Sequence, residues 1–190
     1  TTIVEHILRE LTRRRYQVAT AKHISQRGFS MDAEGKDTWR HSAAGANPVI
    51  SISDVEMGIL IKNGIERLSL DQLLKFTWGA DILILEGFSS LVLNDERVGK
   101  IICIKDEREY SEYKERAKGD VLAFCSFQPL GETIVKVMED ISTLIEGTLK
   151  FVERRRKISE ILGKLPGLNC EKCGRASCEE MAEDIYKRKA

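Results

Sequence analysis

Apolar positions recur at helical spacing from the first residues onward. Ile3, Val4, Ile7, Leu8 and Leu11 line one side of a helix predicted over residues 1–14. The period then shortens, and residues 16–22 read as a strand. A polar, glycine-bearing loop covers His23 to Gly35. A short helix is predicted over Lys36 to Ala44, stopped near Gly45 and Pro48. Residues 49–53 and 57–62 read as two strands joined by a turn at Asp54, and residues 70–78 as a helix. Residues 81–86 give the clearest strand, an unbroken apolar run ending in Glu86. Residues 100–105 and 120–126 give two more. From 131 to 165 the apolar residues Ile134, Val135, Val137, Met138, Ile141, Leu144, Ile145, Leu149 and Val152 follow a helical period. Gly147 and the run Arg154 to Lys157 are candidate break points.

Alternation of strands and helices, with strands that are nearly continuous in apolar residues, predicts an α/β fold whose largely parallel sheet is covered on both faces. Past Pro166-Gly167 the character changes to a short segment with three cysteines followed by a charged helix. The expected division is therefore a domain over 1–149, a helical connector over 150–165 and a cysteine-rich segment over 166–190. There is no internal repeat or low-complexity tract.

Charge narrows the function classes. Lys+Arg and Asp+Glu balance at 30 each, which argues against broad binding to nucleic acid or membrane. Arg13-Arg14-Arg15 and Arg154 to Lys157 fall at or near predicted helix ends and read as solvated faces favourable to the helix dipole. No run approaches the ~18 apolar residues of a membrane span. No signal peptide opens the chain, so a cytoplasmic location is expected. Cys103 and Cys125 lie in apolar runs and read as inert core residues. Cys170, Cys173 and Cys178 cluster in a polar turn, which suits metal binding in a reducing cytoplasm better than a disulfide framework.

The candidate chemistry lies at helix starts and strand ends. A phosphate-binding loop ends in Lys followed by a hydroxyl residue and runs directly into an amphipathic helix. Thr1 stands where that hydroxyl belongs. Magnesium wants oxygen ligands, and a hydroxyl at a first helical turn with a carboxylate at a neighbouring strand end supplies them. Thr1 and Glu86 are the candidates; the bland alternatives are a simple N-cap for Thr1-Thr2 and a surface carboxylate for Glu86. Lys22-His23 ends its strand on the same rim as Glu86. Asp37, Arg40 and His41 share one helical face beyond Asp32. They read either as phosphate and metal-water contacts or as a salt-bridged surface helix.

Thr1-Thr2-Ile3-Val4, Lys22-His23, Gly35-Lys36-Asp37-Thr38-Trp39-Arg40, Ala44-Gly45-Ala46 and Ile84-Leu85-Glu86-Gly87-Phe88 appear in that order. This set resembles the molybdopterin-guanine dinucleotide biosynthesis protein B family of P-loop GTP-binding proteins, over about residues 1–130. The resemblance implies a P-loop NTPase-like three-layer fold that binds GTP and Mg²⁺, with weak GTPase activity and a homodimeric state. It implies a role assisting the guanylyltransferase that attaches GMP to molybdopterin, and contact with molybdoenzyme maturation factors. Thr1 resembles the hydroxyl that ligates Mg²⁺. Glu86 resembles the acid that holds Mg²⁺ directly or through water. Thr2, Lys22, His23, Arg40 and Gly87 match nucleotide-binding rim positions, and Glu86 and Asp37 are the candidates for catalysis. No Asn-Lys-x-Asp motif for guanine is present, so Ser126-Phe127-Gln128-Pro129 is a positional guess for the base. On this resemblance the glycine-rich loop, its Lys and the strand before it belong ahead of Thr1.

The tail from Leu165 to Cys178 has C-x2-C-x4-C spacing. It resembles a four-cysteine [4Fe–4S] domain that begins Leu-Pro-Gly-x-Asn-Cys-x-x-Cys-Gly, whose fourth Cys would come after Ala190. Both ends of the chain thus read as truncated. Zinc and uncommitted thiols stay open as alternatives, since each metal centre wants four ligands. The leading expectation is a GTP-binding accessory protein of molybdenum or tungsten cofactor maturation carrying an iron–sulfur module. The alternatives are a small-molecule kinase with Asp37 as its general base, and an electron-transfer or docking protein with a vestigial nucleotide domain.

Overall fold

The computed structural model describes residues 1–62, 68–131 and 133–188. The chain forms two compact units, one of Gln17–Val92 and one of Thr1–Tyr16 with Leu93–Ala190.

The unit of residues 17–92 is organised by β1 (Val18–Lys22) and β4 (Ile82–Glu86), which pair in parallel from Val18↔Ile82 to Lys22↔Glu86. The pair is pinned where it starts. Asp81 and Ile82 donate their backbone N–H groups to the Gln17 carbonyl at 2.8 and 3.3 Å, and the Asp81 carboxylate accepts from Gln17 N at 2.8 Å. Between these strands the chain forms α2 (Asp37–Ala43), the antiparallel hairpin β2 (Val49–Ile52) and β3 (Met57–Leu60), and α3 (Leu70–Leu74). Ser69 opens α3 with a reciprocal capping box to Gln72. The helix expected to reach Trp78 stops at Leu74: Lys75, Phe76 and Thr77 donate to carbonyls three residues back, and Trp78 and Gly79 then take positive φ angles of 49° and 83°. A single turn, α4 (Ser89–Val92), follows β4.

In the other unit, β5 (Lys100–Cys103), β6 (Val121–Ser126) and β7 (Val135–Lys136) pair in parallel in that order. Parallel pairing in both units gives the α/β fold that the hydrophobic pattern predicts. The helix α1 (Thr2–Arg13) buries Ile3, Ile7 and Leu11. It packs on α6 (Ile141–Leu162), whose Leu144 is almost fully buried and which also covers β6. Leu93, Ile102, Ile104 and Ile134 form a second core, sealed by α5 (Glu107–Arg116) through Tyr110 and Tyr113. Lys100 is nearly inaccessible. Its ammonium is satisfied by three carbonyls, those of Asp95, Val98 and Lys118 at 2.7, 2.8 and 2.7 Å, while burial pulls its pKa down.

Three expectations are corrected here. Residues 134–138 are not helical: Val135 and Lys136 form β7, and Ile134 and Val137 are buried beside it. Their apolar spacing serves a strand and its flanks equally well. The helix α6 starts at Ile141 and runs unbroken through Gly147 and Arg154–Lys157, across residue 150. The basic run is therefore inside a helix rather than at its end. Arg154 pairs with Asp120, Arg155 with Glu179 at 2.8 Å and Glu183 at 3.5 Å, and Arg156 with Glu160 at 3.6 Å. Third, Cys103 is exposed and only Cys125 is core, with their sulfurs 3.2 Å apart. The last segment folds as α7 (Cys178–Tyr186), packed on α6 through Cys178 and Ala182.

A Cβ at Gly147 would lie 3.7 Å from the Leu122 carbonyl oxygen, in ordinary contact. Glycine costs a helix interior roughly 1 kcal/mol relative to alanine. Gly147→Ala should therefore raise stability by roughly 0.5–1 kcal/mol in urea denaturation; a loss of stability would show that α6 sits closer to β6 than described.

Candidate functional site

The carboxyl ends of parallel strands are where α/β sheets bind ligands, because helices and loops splay apart there. At the shared end of β1 and β4, Lys22 Nζ donates to Glu86 Oε1 at 3.0 Å. The next backbone step continues the ladder, His23 N donating to the Glu86 carbonyl at 2.8 Å. The His23 ring then meets Phe88 edge-on, with centroids 5.7 Å apart. Between them Gly87 turns the chain at φ 82°, in the left-handed region that favours glycine. A Cβ there would lie 3.4 Å from the His23 carbonyl oxygen, in ordinary contact, so the backbone angle rather than lack of space is what favours glycine. Lys22, His23, Glu86 and Gly87 are thus gathered on one rim, as the strand pattern implies.

An ion pair as exposed as Lys22–Glu86 contributes little stability, typically under ~1 kcal/mol. Its chemistry is a hard carboxylate oxygen beside an ammonium. That donor set fits Mg²⁺ and a phosphate together, the one needing oxygen ligands and the other a cation.

Asp32, Asp37, Arg40 and His41 lie on α2 or just before it. Asp37 and Arg40 pair with each other at 3.6 Å on the exposed first turns of α2. Asp32 accepts from the Thr38 hydroxyl at 2.9 Å and from Ala33 N at 3.0 Å, and its other carboxylate oxygen is buried without a hydrogen-bond partner among the described residues. His41 is exposed near the end of the same helix.

Thr1 and Thr2 belong to the other unit. Thr1 is the N-cap of α1, with its carbonyl accepting from Glu5 N at 3.0 Å; its hydroxyl makes no capping bond and the residue is exposed. At the end of β6, Ser126 is buried and its hydroxyl accepts from Gln128 N at 3.1 Å, whereas Phe127 is exposed. An open cavity of about 550 Å³ adjoins this loop, lined by Pro129, Gly131, Thr133, Ile134, Lys136 and Asp140. Hydrogen bonds from Thr143 and Ser142 hold the Asp140 carboxyl below its ordinary pKa.

In the tail, Asn169, Glu171 and Gly174 take positive φ angles of 45°, 59° and 75°, curling the loop that carries Cys170 and Cys173. Both thiols are exposed, and Cys178 is buried at the start of α7. The loop is anchored to that helix by Asn169 Oδ1, which accepts from Cys178 N at 2.8 Å, and by Arg175, which pairs with Asp184. Among the described residues no three His, Cys, Asp or Glu side chains are brought into metal-holding geometry. The donors themselves, soft thiolates on a tightly turned loop, fit three corners of an iron–sulfur cluster.

A family model described as MobB, molybdopterin guanine dinucleotide synthesis protein B, matches residues 1–126. The chain belongs to the MobB family. A second model, described as "Putative Fe-S cluster", matches residues 165–190. The molybdopterin-guanine dinucleotide biosynthesis adapter protein of Haemophilus influenzae is 32% identical over 109 residues, which are 56% of this chain and 57% of that protein. The chain thus spans a little over half the length of this curated relative. Among solved structures, a molybdopterin-guanine biosynthesis protein B is similar with a TM-score of 0.59 at 20% identity, covering 80% of this chain and 90% of the other. A MobB homologue from Bacillus stearothermophilus follows at 0.56 and 16%, covering 80% and 88%. MobB of Bacillus subtilis is similar at 0.55 and 14%, covering 77% and 87%. These likenesses support the MobB fold, with its parallel strands. The contact of Cys103 with Cys125 is not evident from periodicity; the signal the sequence carries is a cysteine near the end of each of two successive apolar strands.

Proposed function

We propose that this MobB-family chain is a GTP- and Mg²⁺-binding adapter that assists attachment of GMP to molybdopterin, with weak GTPase activity. The observation that carries the reading is the Lys22–Glu86 pair on the carboxyl ends of adjacent parallel strands. Bound Mg²⁺ would neutralise charge on the nucleotide phosphates. Lys22 offsets further phosphate charge, Glu86 holds the ion directly or through water, and Gly87 lets a ligand approach the backbone. His23 and Arg40 add polar and cationic contacts, and Asp37 orders water for slow hydrolysis. Thr1 is a second oxygen ligand for Mg²⁺ by family resemblance, with Thr2 beside it. The loop Ser126-Phe127-Gln128-Pro129 after β6 is assigned to the base by its position alone. The site belongs to a cytoplasmic protein whose partner is the guanylyltransferase.

With Mg²⁺ present, Glu86→Gln and Lys22→Met should each weaken GTP binding to the full chain by roughly 10-fold or more in calorimetry, the size expected for a lost charged hydrogen bond. Unchanged affinity in both variants would remove the rim from the nucleotide site.

A homodimer is supported by the hairpin. Ile50 faces Ile59 and Ile52 faces Met57 across β2 and β3, and all four side chains are exposed, as is Val55 at the turn. Such an apolar face suits a second copy of the same chain. Ile52→Glu combined with Val55→Glu should convert the dimer to monomer in sedimentation; a wild-type monomer, or a dimer that survives both changes, refutes this role for the hairpin.

The tail is proposed to hold a [4Fe–4S] cluster through Cys170, Cys173 and Cys178 with one further ligand. Anaerobically purified protein should contain iron and acid-labile sulfide, and Cys170→Ser with Cys173→Ser should lose both. Stoichiometric zinc without sulfide would assign the other metal.

A further inference from the structure

Cys103 and Cys125 occupy paired positions on the adjacent parallel strands β5 and β6. Residues at paired positions point to the same face of a sheet, and here the two sulfurs are 3.2 Å apart. The two thiols are not equivalent. Cys125 is fully buried, while Cys103 is open to solvent. Their hydrogen bond sets their acidities apart. Either sulfur can donate; with the Cys125 thiol as donor, the contact favours a Cys103 thiolate and brings its pKa down to about 7, and the same contact, with burial, pushes Cys125 up. A reachable nucleophile therefore lies against a shielded partner, which is the arrangement of an attacking and a resolving cysteine.

We propose that Cys103 and Cys125 form a reversible redox site that reacts with hydroperoxides and closes to a disulfide between β5 and β6. In the first step the Cys103 thiolate attacks the distal peroxide oxygen. The O–O bond breaks, Cys103 becomes a sulfenic acid, and the departing alkoxide or hydroxide takes a proton from water. In the second step the Cys125 sulfur attacks the Cys103 sulfur. The S–S bond forms, the S–O bond breaks, and the hydroxyl leaves as water with the Cys125 proton. Two thiols lose two electrons and the peroxide gains them. A small dithiol restores the reduced pair by exchange. This site is separate from the cysteines of the tail, which lie at residues 170, 173 and 178.

The test is peptide mapping of the full chain after brief treatment with a small excess of hydrogen peroxide. The tryptic fragments 101–105 and 119–136 should become linked to each other, and dithiothreitol should release them. In Cys125→Ser the sulfenic acid has no resolving partner, so trapping of Cys103 by dimedone should rise severalfold. In Cys103→Ser, a surface change that leaves the core cysteine in place, Cys125 should stay reduced under the same treatment. Circular dichroism before and after oxidation checks that linkage occurs in the folded chain. The proposal is overturned if fragment 101–105 links chiefly to 165–172 or 173–175, or if dimedone captures Cys103 equally in the wild type and Cys125→Ser. Oxidation of Cys125 in Cys103→Ser at the wild-type rate would overturn it as well.

Discussion

In a parallel ladder two strands run the same way, so residues at equal height leave the sheet at the same end. This constraint fixes β1 against β4 from the Gln17–Asp81 bonds upward, and five steps later it sets Lys22 beside Glu86. The same rule, in β5 and β6, sets Cys103 beside Cys125. Neither pair is close in the chain: 64 residues separate the first and 22 the second. Register creates each pair: β1 and β4 hold one register throughout, whereas β5 and β6 shift by one residue between Lys100 and Ile101, and without that shift Cys103 would face Phe124.

The energetic weight lies elsewhere. Among the described residues, the larger apolar side chains that exclude water almost completely are Leu11, Leu144, Val137 and Cys125, in the unit that carries α6. Burying a Leu of this kind is worth roughly 1.5–3 kcal/mol, more than an exposed ion pair. The Lys22–Glu86 rim, in the unit of residues 17–92, is a surface whose composition stability does not dictate.

Much of this was legible in the residues, for reasons that differ by element. The stripe Ile3, Ile7 and Leu11 and the run ending in Glu86 carry unambiguous periods, and they appear as α1 and β4. Gly87 follows its acid because the turn needs a positive φ. The stretch around Ile134 was misread because apolar residues one and three apart serve a short strand with buried flanks as well as a helix. The helix α5 escaped notice because it buries little, its inward side being Tyr110 and Tyr113 among charges. The basic run looked like a helix end because its partners, Asp120, Glu179 and Glu183, are remote in sequence. Strand pairing is likewise non-local, so periodicity located the cysteines but not their contact.

The helix α6 touches α1, β6, β7 and α7. Its 22 residues make a rod of roughly 33 Å at 1.5 Å per residue. Arg155 clamps α7 to that rod through two carboxylates, and Cys178 and Ala182 are wedged against it. Glu153, two residues before Arg155 on the same rod, lies 3.9 Å from Arg14 just past the end of α1, so α7 and the C-terminal end of α1 are braced on neighbouring turns of one helix.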